Sequence, residues 1–501
     1  MKRINYYSGC FRRPSSPDDS GSENQQTTGH ALRNPTRNIS LVPNQSSWIN
    51  QLQIIDNSFE CRLYNWVNSA PYASEKENRL VAQRRILDAQ KTNAKNLNLS
   101  NLDLTDVPPL DALTNLKNLN LSRNHLRNLP NGCFDGLTSL QTLYLYNNQL
   151  RDLPNRCFDG LNSLHFLDVS YNQIRKLTDG CLNGLNSLKR LNLSYNQISN
   201  ITDGCFDGLN LLKELDISHN QLSELKEGCF DGLNSLQTLY LYNNQLSELK
   251  ERCFDGLNSL KRLYLYNNQL SELKKGCFDG LNSLKSLYLN NNQLRNIPKD
   301  CFTDLTSLQS LYLYDNQIST LSKECFNRLT FLEWLDIRHN QLSTLPKEYF
   351  NRLTLLKWLD ISHNQLRNLP NRCFDGLNSL HFLDVSYNQI RNLTDGCFDG
   401  LNSLGILRLD KNYLIEDSLN IGHVQILIEN QKTLEDLKEE LEDLKEEMDQ
   451  VRRKAVARCF LNKVRQREEF GGKEICSSDT GRLSEIINHL DTIKCCRWPN
   501  N

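Results

Sequence analysis

The feature that most constrains the fold is a period of 24 residues that runs through the middle of the chain. Asparagine recurs at that interval thirteen times, each time after a Leu-x-Leu-x-x phrase in which Ile or Val sometimes replaces the second Leu. These asparagines occupy positions 124, 148, 172, 196, 220, 244, 268, 292, 316, 340, 364, 388 and 412. One such unit cannot bury its own apolar side chains, so repeated units stack and share one core. We therefore expect one solenoid over residues 97–419, although a chain of 501 residues would ordinarily form about three domains.

Each part of the repeated unit has a physical role. The Leu-x-Leu part predicts a short strand with two inward-facing apolar side chains, and stacked units then form a parallel sheet with strands about 4.8 Å apart. The asparagine that follows can bond backbone groups of neighbouring turns that would otherwise be buried without partners. A phenylalanine recurs once in nearly every unit, from Phe134 to Phe398. This column is expected to fill the opposite side of the core.

The repeats resemble the leucine-rich-repeat family over about two thirds of the chain. The resemblance implies an α/β solenoid of the horseshoe type, with a parallel sheet on its concave side. Trp66, residues 69–79 and a degenerate first repeat from Leu97 to Pro108 are also similar to the helical cap and first repeat of bacterial leucine-rich-repeat effectors. Such effectors are delivered into host cells, so this second resemblance implies a secretion signal in the polar N-terminal residues. It does not extend to the ubiquitin-ligase domain of some effectors, because neither Cys459 nor Cys476 lies in a Cys-x-Asp motif.

The two flanks of the repeats differ in character. Residues 1–45 are polar and are expected to be disordered. Residues 46–96 predict a helical cap, with Ser74 and Glu77 forming a capping box at the start of its main helix. Residues 420–470 predict a C-terminal helix, and residues 471–501 show no pattern that can be assigned.

The C-terminal helix carries apolar residues at the alternating spacing of three and four that is typical of coiled coils. The predicted contacts of a parallel homodimer are Leu434, Leu437, Leu441, Leu444, Met448 and Val451. The alternative is a single helix that folds back on the solenoid.

Charge and cysteine content narrow the class of protein. Lys and Arg number 58 and Asp and Glu number 59, which argues against a nucleic-acid-binding protein. No apolar run approaches the length of about 20 residues that spans a bilayer, so no transmembrane segment is expected. Eleven of the 17 cysteines share one position in the repeat, which predicts a column of buried free thiols suited to a reducing compartment. We expect a cytoplasmic protein, or one secreted into a host cytosol without a cleavable signal peptide, and no metal or other cofactor.

The candidate functional residues lie on the concave strands, where outward side chains are free to vary. Rows of aromatic residues suit protein interfaces because they offer a large contact area with few rotatable bonds. The predicted protein-binding residues are Tyr240, Tyr242, Tyr264, Tyr266, Tyr288, Tyr312, Tyr314, Trp334, Asp336, Trp358 and Asp360. This pattern favours a non-enzymatic scaffold that binds a protein ligand. Two alternatives stay open: a ligase-like effector enzyme with Cys459 or Cys476 as nucleophile, and a secreted recognition receptor.

Overall fold

A computed structural model describes residues 58–322, 324–347, 349–394 and 396–414. The candidate nucleophiles Cys459 and Cys476 and the implied N-terminal secretion signal lie outside these residues, as do three predicted segments. They are the disordered segment 1–45, the C-terminal helix 420–470 with its six homodimer contacts, and the unassigned tail 471–501. The described residues belong to one compact unit.

Two helices precede the repeats. The first, α1, spans Phe59–Asn68, and the second, α2, spans Ala73–Thr92. The Ser58 side chain caps α1 by accepting a hydrogen bond of 3.2 Å from the backbone N–H of Cys61. Apolar residues of both helices, such as Leu63 and Ile86, are fully buried in the same core as the repeats.

The predicted capping box of Ser74 and Glu77 is wrong. Helix α2 begins at Ala73, its N-cap residue is Tyr72, and no side chain caps it. Ser74 therefore lies within the first turn. Helix α2 places Glu75 and Arg79 one turn apart on its buried face, where both contact the first repeat.

The buried pair of Glu75 and Arg79 joins α2 to the degenerate first repeat. The Arg79 guanidinium lies 2.8 Å from Glu75 and 2.7 Å from Asp106, and it donates to the Trp66 carbonyl at 2.6 Å. The Thr105 hydroxyl donates to the same Glu75 oxygen at 2.5 Å. Burial alone would raise the pKa of Glu75, but the hydrogen bonds from Thr105 and Arg79 outweigh it and lower that pKa. The end of the solenoid is thus closed by a buried carboxylate, one oxygen of which receives both Arg79 and Thr105.

The concave sheet confirms the predicted architecture. Within the described residues it has fourteen parallel strands, each of three residues, in chain order, with the inward Leu of each strand opposite that of the next. The strands are Asn96–Asn98, Asn118–Asn120, Thr142–Tyr144, Phe166–Asp168, Arg190–Asn192, Glu214–Asp216, Thr238–Tyr240, Arg262–Tyr264, Ser286–Tyr288, Ser310–Tyr312, Trp334–Asp336, Trp358–Asp360, Phe382–Asp384 and Ile406–Arg408. Three short parallel pairs lie outside this sheet: Lys176–Leu177 with Asn200–Ile201, Asn296–Ile297 with Thr320–Leu321, and Asn368–Leu369 with Asn392–Leu393.

The repeated asparagine forms the predicted ladder, as Asn268 illustrates. Its side-chain oxygen accepts from the Leu246 N–H at 3.1 Å, and its Nδ2 donates to the carbonyls of Leu241 and Leu265 at 3.1 and 3.0 Å. Each asparagine therefore bonds its own turn and the preceding one. Backbone groups that the sharp turn removes from the sheet keep partners inside the core.

The rest of the core also follows the repeat. Successive rings of the phenylalanine column lie 6.1–6.5 Å apart where they stack in parallel. Ten cysteines of the predicted column are buried, while Cys133 at the N-terminal end is half-buried. Tyr349 takes the cysteine position in one repeat, and its hydroxyl donates to the Leu321 carbonyl.

Candidate functional site

The concave face carries four rows of side chains that cross the strands. The first row is the residue before the inward Leu of each strand, and the second row is the residue after that Leu. The third row lies two residues beyond the second, and the fourth is the residue directly before the ladder asparagine. Because strands pair in register, side chains of one row lie on adjacent strands about 4.8 Å apart.

Four tyrosines form a stacked ladder in the second row. The ring centroids of Tyr240 and Tyr264 are 4.8 Å apart, those of Tyr264 and Tyr288 are 4.4 Å apart, and those of Tyr288 and Tyr312 are 4.5 Å apart. The rings are parallel within 6–16°. Each ring face is covered by the next ring, so the ladder offers ring edges and hydroxyl groups to a partner.

The third row adds tyrosines beside this ladder. Tyr242 stacks on Tyr266 at 4.5 Å, and Tyr266 meets Tyr264 edge-on at 6.4 Å. Tyr314 lies on the far side of Asn290, and its ring receives the guanidinium of Arg338 at 4.8 Å. All seven predicted tyrosines are half-buried rather than exposed. Burial raises the pKa of Tyr264 to about 12, so its hydroxyl stays protonated and able to donate.

The predicted tryptophans extend the aromatic surface in the first row. Trp334 stacks on Trp358 at 4.3 Å and Trp358 stacks on Phe382 at 3.5 Å. Tyr312 meets Trp334 at 6.3 Å in a tilted arrangement. An unbroken series of aromatic contacts therefore crosses seven consecutive strands, from Tyr240 to Phe382. We call this series the aromatic run.

The two predicted aspartates are not on the accessible surface. Asp336 and Asp360 are only 4% and 5% exposed. Asp360 accepts from the Ser362 N–H and hydroxyl at 2.9 and 2.6 Å, so its carboxylate holds the backbone after the strand. Both carboxylates are therefore buried, and their predicted role in binding a protein ligand stays a prediction.

Arg338 is the charged group that reaches the surface at this point. It takes the third-row position where Ser362 stands in the next repeat, and its guanidinium lies 3.5 Å from Asp336 and 3.7 Å from Asp360. Burial raises the pKa of Asp336 to about 7, helped by the nearby Asp360 and opposed by Arg338. With 42% of its side chain exposed, Arg338 presents a positive charge beside the aromatic run.

The fourth row holds a second set of stacked rings that the sequence reasoning missed. Tyr171 stacks on Tyr195 at 4.2 Å, and Tyr195 stacks on His219 at 3.8 Å. All three have φ of 53°, in the left-handed region. Burial lowers the pKa of His219, which favours its neutral form. The sequence did carry a signal for this set: in these units the ladder asparagine is preceded directly by Tyr or His, and that residue is preceded by Ser in the third row.

The predicted site residues thus divide into two groups. The structure brings the seven tyrosines and two tryptophans together on one face, and it buries the two aspartates beneath that face. Within the described ranges, no group of three or more His, Cys, Asp or Glu side chains is arranged to hold a metal ion. No helix of the described part of the chain is both long and apolar enough to cross a membrane.

Comparison with protein families identifies the class. The model of the leucine rich repeat family matches nine overlapping segments that together cover residues 114–414, which is more than half of the chain. The segments are 114–174, 167–222, 186–246, 212–270, 235–294, 260–318, 283–342, 330–390 and 367–414. The chain belongs to the leucine-rich-repeat family.

Solved structures of other repeat proteins share the fold. An internalin of Listeria monocytogenes is similar with a TM-score of 0.50 and 23% identity over 67% of this chain and 95% of its own. A leucine-rich-repeat protein of Leptospira interrogans is similar with a TM-score of 0.50 and 26% sequence identity, and the match covers 69% of this chain and 97% of that protein. A chain of the Drosophila Toll–Spatzle complex is similar with a TM-score of 0.58 and 26% sequence identity. The match covers 61% of this chain but only 42% of the Drosophila chain. A comparison with curated protein sequences gave no match.

Proposed function

We propose that this chain is a non-enzymatic scaffold that binds a protein ligand on its concave face. The observation that carries the proposal is the aromatic run, which crosses seven strands without interruption. Half-buried tyrosines and tryptophans are the residues that anchor protein interfaces, since they bury a large area and lose little side-chain entropy.

The chemistry of the face defines the ligand it would suit. The stacked tyrosines offer hydroxyl groups at intervals close to the strand spacing, and the part-exposed guanidinium of Arg338, which also contacts Asp336 and Asp360, lies at the end of that ladder. A ligand surface with several hydrogen-bonding groups and an acidic group would match both features. The rings are already fixed by their neighbours, so binding would cost little further ordering.

The comparisons support a binding role of this kind. The Drosophila protein chain to which this one is similar was solved in a complex, that of Toll with Spatzle. A reducing compartment, either the cytoplasm or a host cytosol reached without a cleavable signal peptide, is part of the same proposal. It is supported by the buried cysteine column, in which the nine cysteines from Cys157 to Cys373 are free thiols.

The experiment is an affinity capture with the full chain under reducing conditions. Two variants change Tyr240, Tyr264, Tyr288 and Tyr312 together, either all to Phe or all to Ala. The Phe variant keeps the stacked rings and removes only the hydroxyls, whereas the Ala variant removes the ladder. The matched control changes Tyr64 and Tyr72 to Ala, which are 62% and 71% exposed on the N-terminal segment and lie outside the concave sheet.

A protein ligand captured by the wild type and by the control, but lost in the Ala variant, is the expected result. Loss in the Phe variant as well would assign recognition to the hydroxyls. Equal capture by all four proteins, with circular dichroism showing that all are folded, would refute the proposal.

A further inference from the structure

Two adjacent repeats expose large apolar side chains at a position that is serine in most other repeats. Phe331 and Leu355 are 56% and 42% exposed, and they lie one period apart, three residues before Trp334 and Trp358. Leu211 is 50% exposed at the same repeat position, but serine stands there in both neighbouring repeats. Phe331 and Leu355 therefore form a pair on successive turns, whereas Leu211 is isolated.

In the same two repeats, the charge of the turn that follows the core phenylalanine changes from negative to positive. Most repeats have Asp-Gly there, but these two have Asn-Arg, which places Arg328 and Arg352 at the glycine position. Glycines at this position, such as Gly376, have φ near +90°, whereas neither arginine has positive φ. The turn has thus been rebuilt with its acidic residue removed and a basic one added. We call Arg328, Phe331, Arg352 and Leu355 the basic apolar patch.

The two arginines of the patch differ from other arginines on the turns. Arg156 and Arg252 each contact an aspartate three residues later, at 2.8 and 2.9 Å. Arg328 and Arg352 are exposed and have no ion-pair partner among the described residues of 58–414. The patch combines two unneutralised charges with two exposed apolar side chains, which is the composition of a surface that receives an acidic amphipathic partner.

The chain itself contains such a partner after its last described residue. Residues 434–450 include nine acidic and two basic residues, together with the Leu434, Leu437, Leu441, Leu444 and Met448 spacing that predicts one apolar helix face. Twenty residues connect Leu414 to Leu434, and an extended connection of that length reaches about 66–72 Å. The two repeats of the patch lie two and three strand spacings, or about 10–14 Å, from the last strand. The connection is therefore long enough for residues 434–450 to reach the patch.

We propose that residues 434–450 dock on the basic apolar patch of the same chain. The apolar helix face covers Phe331 and Leu355, and its flanking carboxylates pair with Arg328 and Arg352. This docking uses the apolar face that a parallel homodimer would also need, so the two states exclude each other. The docked segment borders the end of the aromatic run that holds Trp334 and Trp358.

Cross-linking of the full chain tests the proposal. Isotope-labelled and unlabelled protein are mixed, treated with an amine-reactive cross-linker and analysed by mass spectrometry, so that links within one copy are distinguished from links between copies. Lys357, which is exposed two residues after Leu355, reports on the patch through links to Lys438 and Lys445. Lys213, two residues after Leu211, is the matched reporter at the isolated leucine.

Substitutions in the basic apolar patch then test whether these links depend on its side chains. Phe331→Ser with Leu355→Ser restores the residue that most repeats have, and Leu211→Ser is the matched control. A second pair, Arg328→Glu with Arg352→Glu, reverses the charge without changing an apolar residue. We expect links from Lys357 to Lys438 or Lys445 within one copy, their loss in both patch variants, and their retention in Leu211→Ser.

Three outcomes would overturn the proposal. One is an equal yield of these links in the wild type and in Phe331→Ser/Leu355→Ser, with circular dichroism showing that both are folded. Another is as many links to Lys213 as to Lys357. The third is that Lys438 and Lys445 link only between labelled and unlabelled copies, as the homodimer requires.

Discussion

Replacing Asn268 by Ala tests the principle on which the whole stack depends. Apart from a long contact of 3.4 Å from Nδ2 to the Tyr266 carbonyl, the change removes three hydrogen bonds from the middle of the asparagine ladder. The two carbonyls involved keep a second partner, because Leu241 also accepts from Asn244 and Leu265 also accepts from Asn292. The Leu246 N–H has Asn268 as its acceptor and would be left buried and unpaired.

The magnitude follows from this inventory. An orphaned buried donor costs about 1–3 kcal/mol and each of two lost bonds about 1 kcal/mol, so Asn268→Ala should lower the free energy of unfolding by about 3–5 kcal/mol. Asn412 makes the same three bonds at the C-terminal end, where its side chain is only half-buried. Water can replace those bonds, so Asn412→Ala should cost about 1–2 kcal/mol.

The assay is equilibrium urea unfolding followed by far-ultraviolet circular dichroism, with native-state hydrogen exchange of the Leu246 amide as a local readout. We expect the Leu246 amide to exchange faster in Asn268→Ala and to be unchanged in Asn412→Ala. Equal costs for the two substitutions, or an unchanged exchange rate at Leu246, would refute the reasoning that the ladder satisfies buried backbone groups.

Three further predictions concern buried charge and thiols. Arg79→Met leaves Glu75 as a buried carboxylate without its ion-pair partner, although Thr105 still donates to it, and should lower the free energy of unfolding by about 3–5 kcal/mol, as measured by urea unfolding; adding Glu75→Gln should recover part of that loss. Since the folded pKa of Glu75 is lowered, its ionised form stabilises the fold above its unfolded pKa, and this contribution should disappear as pH falls through the folded value. The folded pKa of Asp336 is raised to about 7, so its favourable contribution holds at acid pH and is lost as pH rises through about 7. Asp336→Asn should therefore raise the melting temperature at pH 8 more than at pH 5, and an equal shift at both pH values would contradict this. The ten buried thiols, of which burial raises the pKa of Cys181 to about 11, should not react with a thiol reagent until the protein unfolds, and rapid reaction of the native protein would show that the column is open.

Much of the fold could be predicted because it depends only on position within a repeat. A Leu, Asn, Phe or Cys at a fixed place in the 24-residue unit meets the same neighbours in every turn, so one unit explains all of them. The parallel sheet, the bonds of Asn268 and the buried cysteine column were predictable for that reason. The location of the candidate site on the concave strands was predictable on the same ground.

The details of the site depend on contacts between particular side chains in different turns. The sequence places Tyr264 and Asp360 at the same repeat position, yet one is a half-buried ring in a ladder and the other is a buried carboxylate bound to Ser362. The pattern around Ser74 and Glu77 fits a helix start, but the helix begins at Ala73, and the pairing of Glu75 with Arg79 and Thr105, which joins it to the first repeat, is visible only in the structure.

The sequence by itself determined the stack, its register and which residue types form the core, because periodicity repeats one local environment along the chain. Only the tertiary structure decided which outward residues are accessible. A side chain such as Asp336 or Phe331 is covered or exposed according to what its neighbours in adjacent turns are, and those neighbours lie 24 residues away in the sequence but about 4.8 Å away in the sheet.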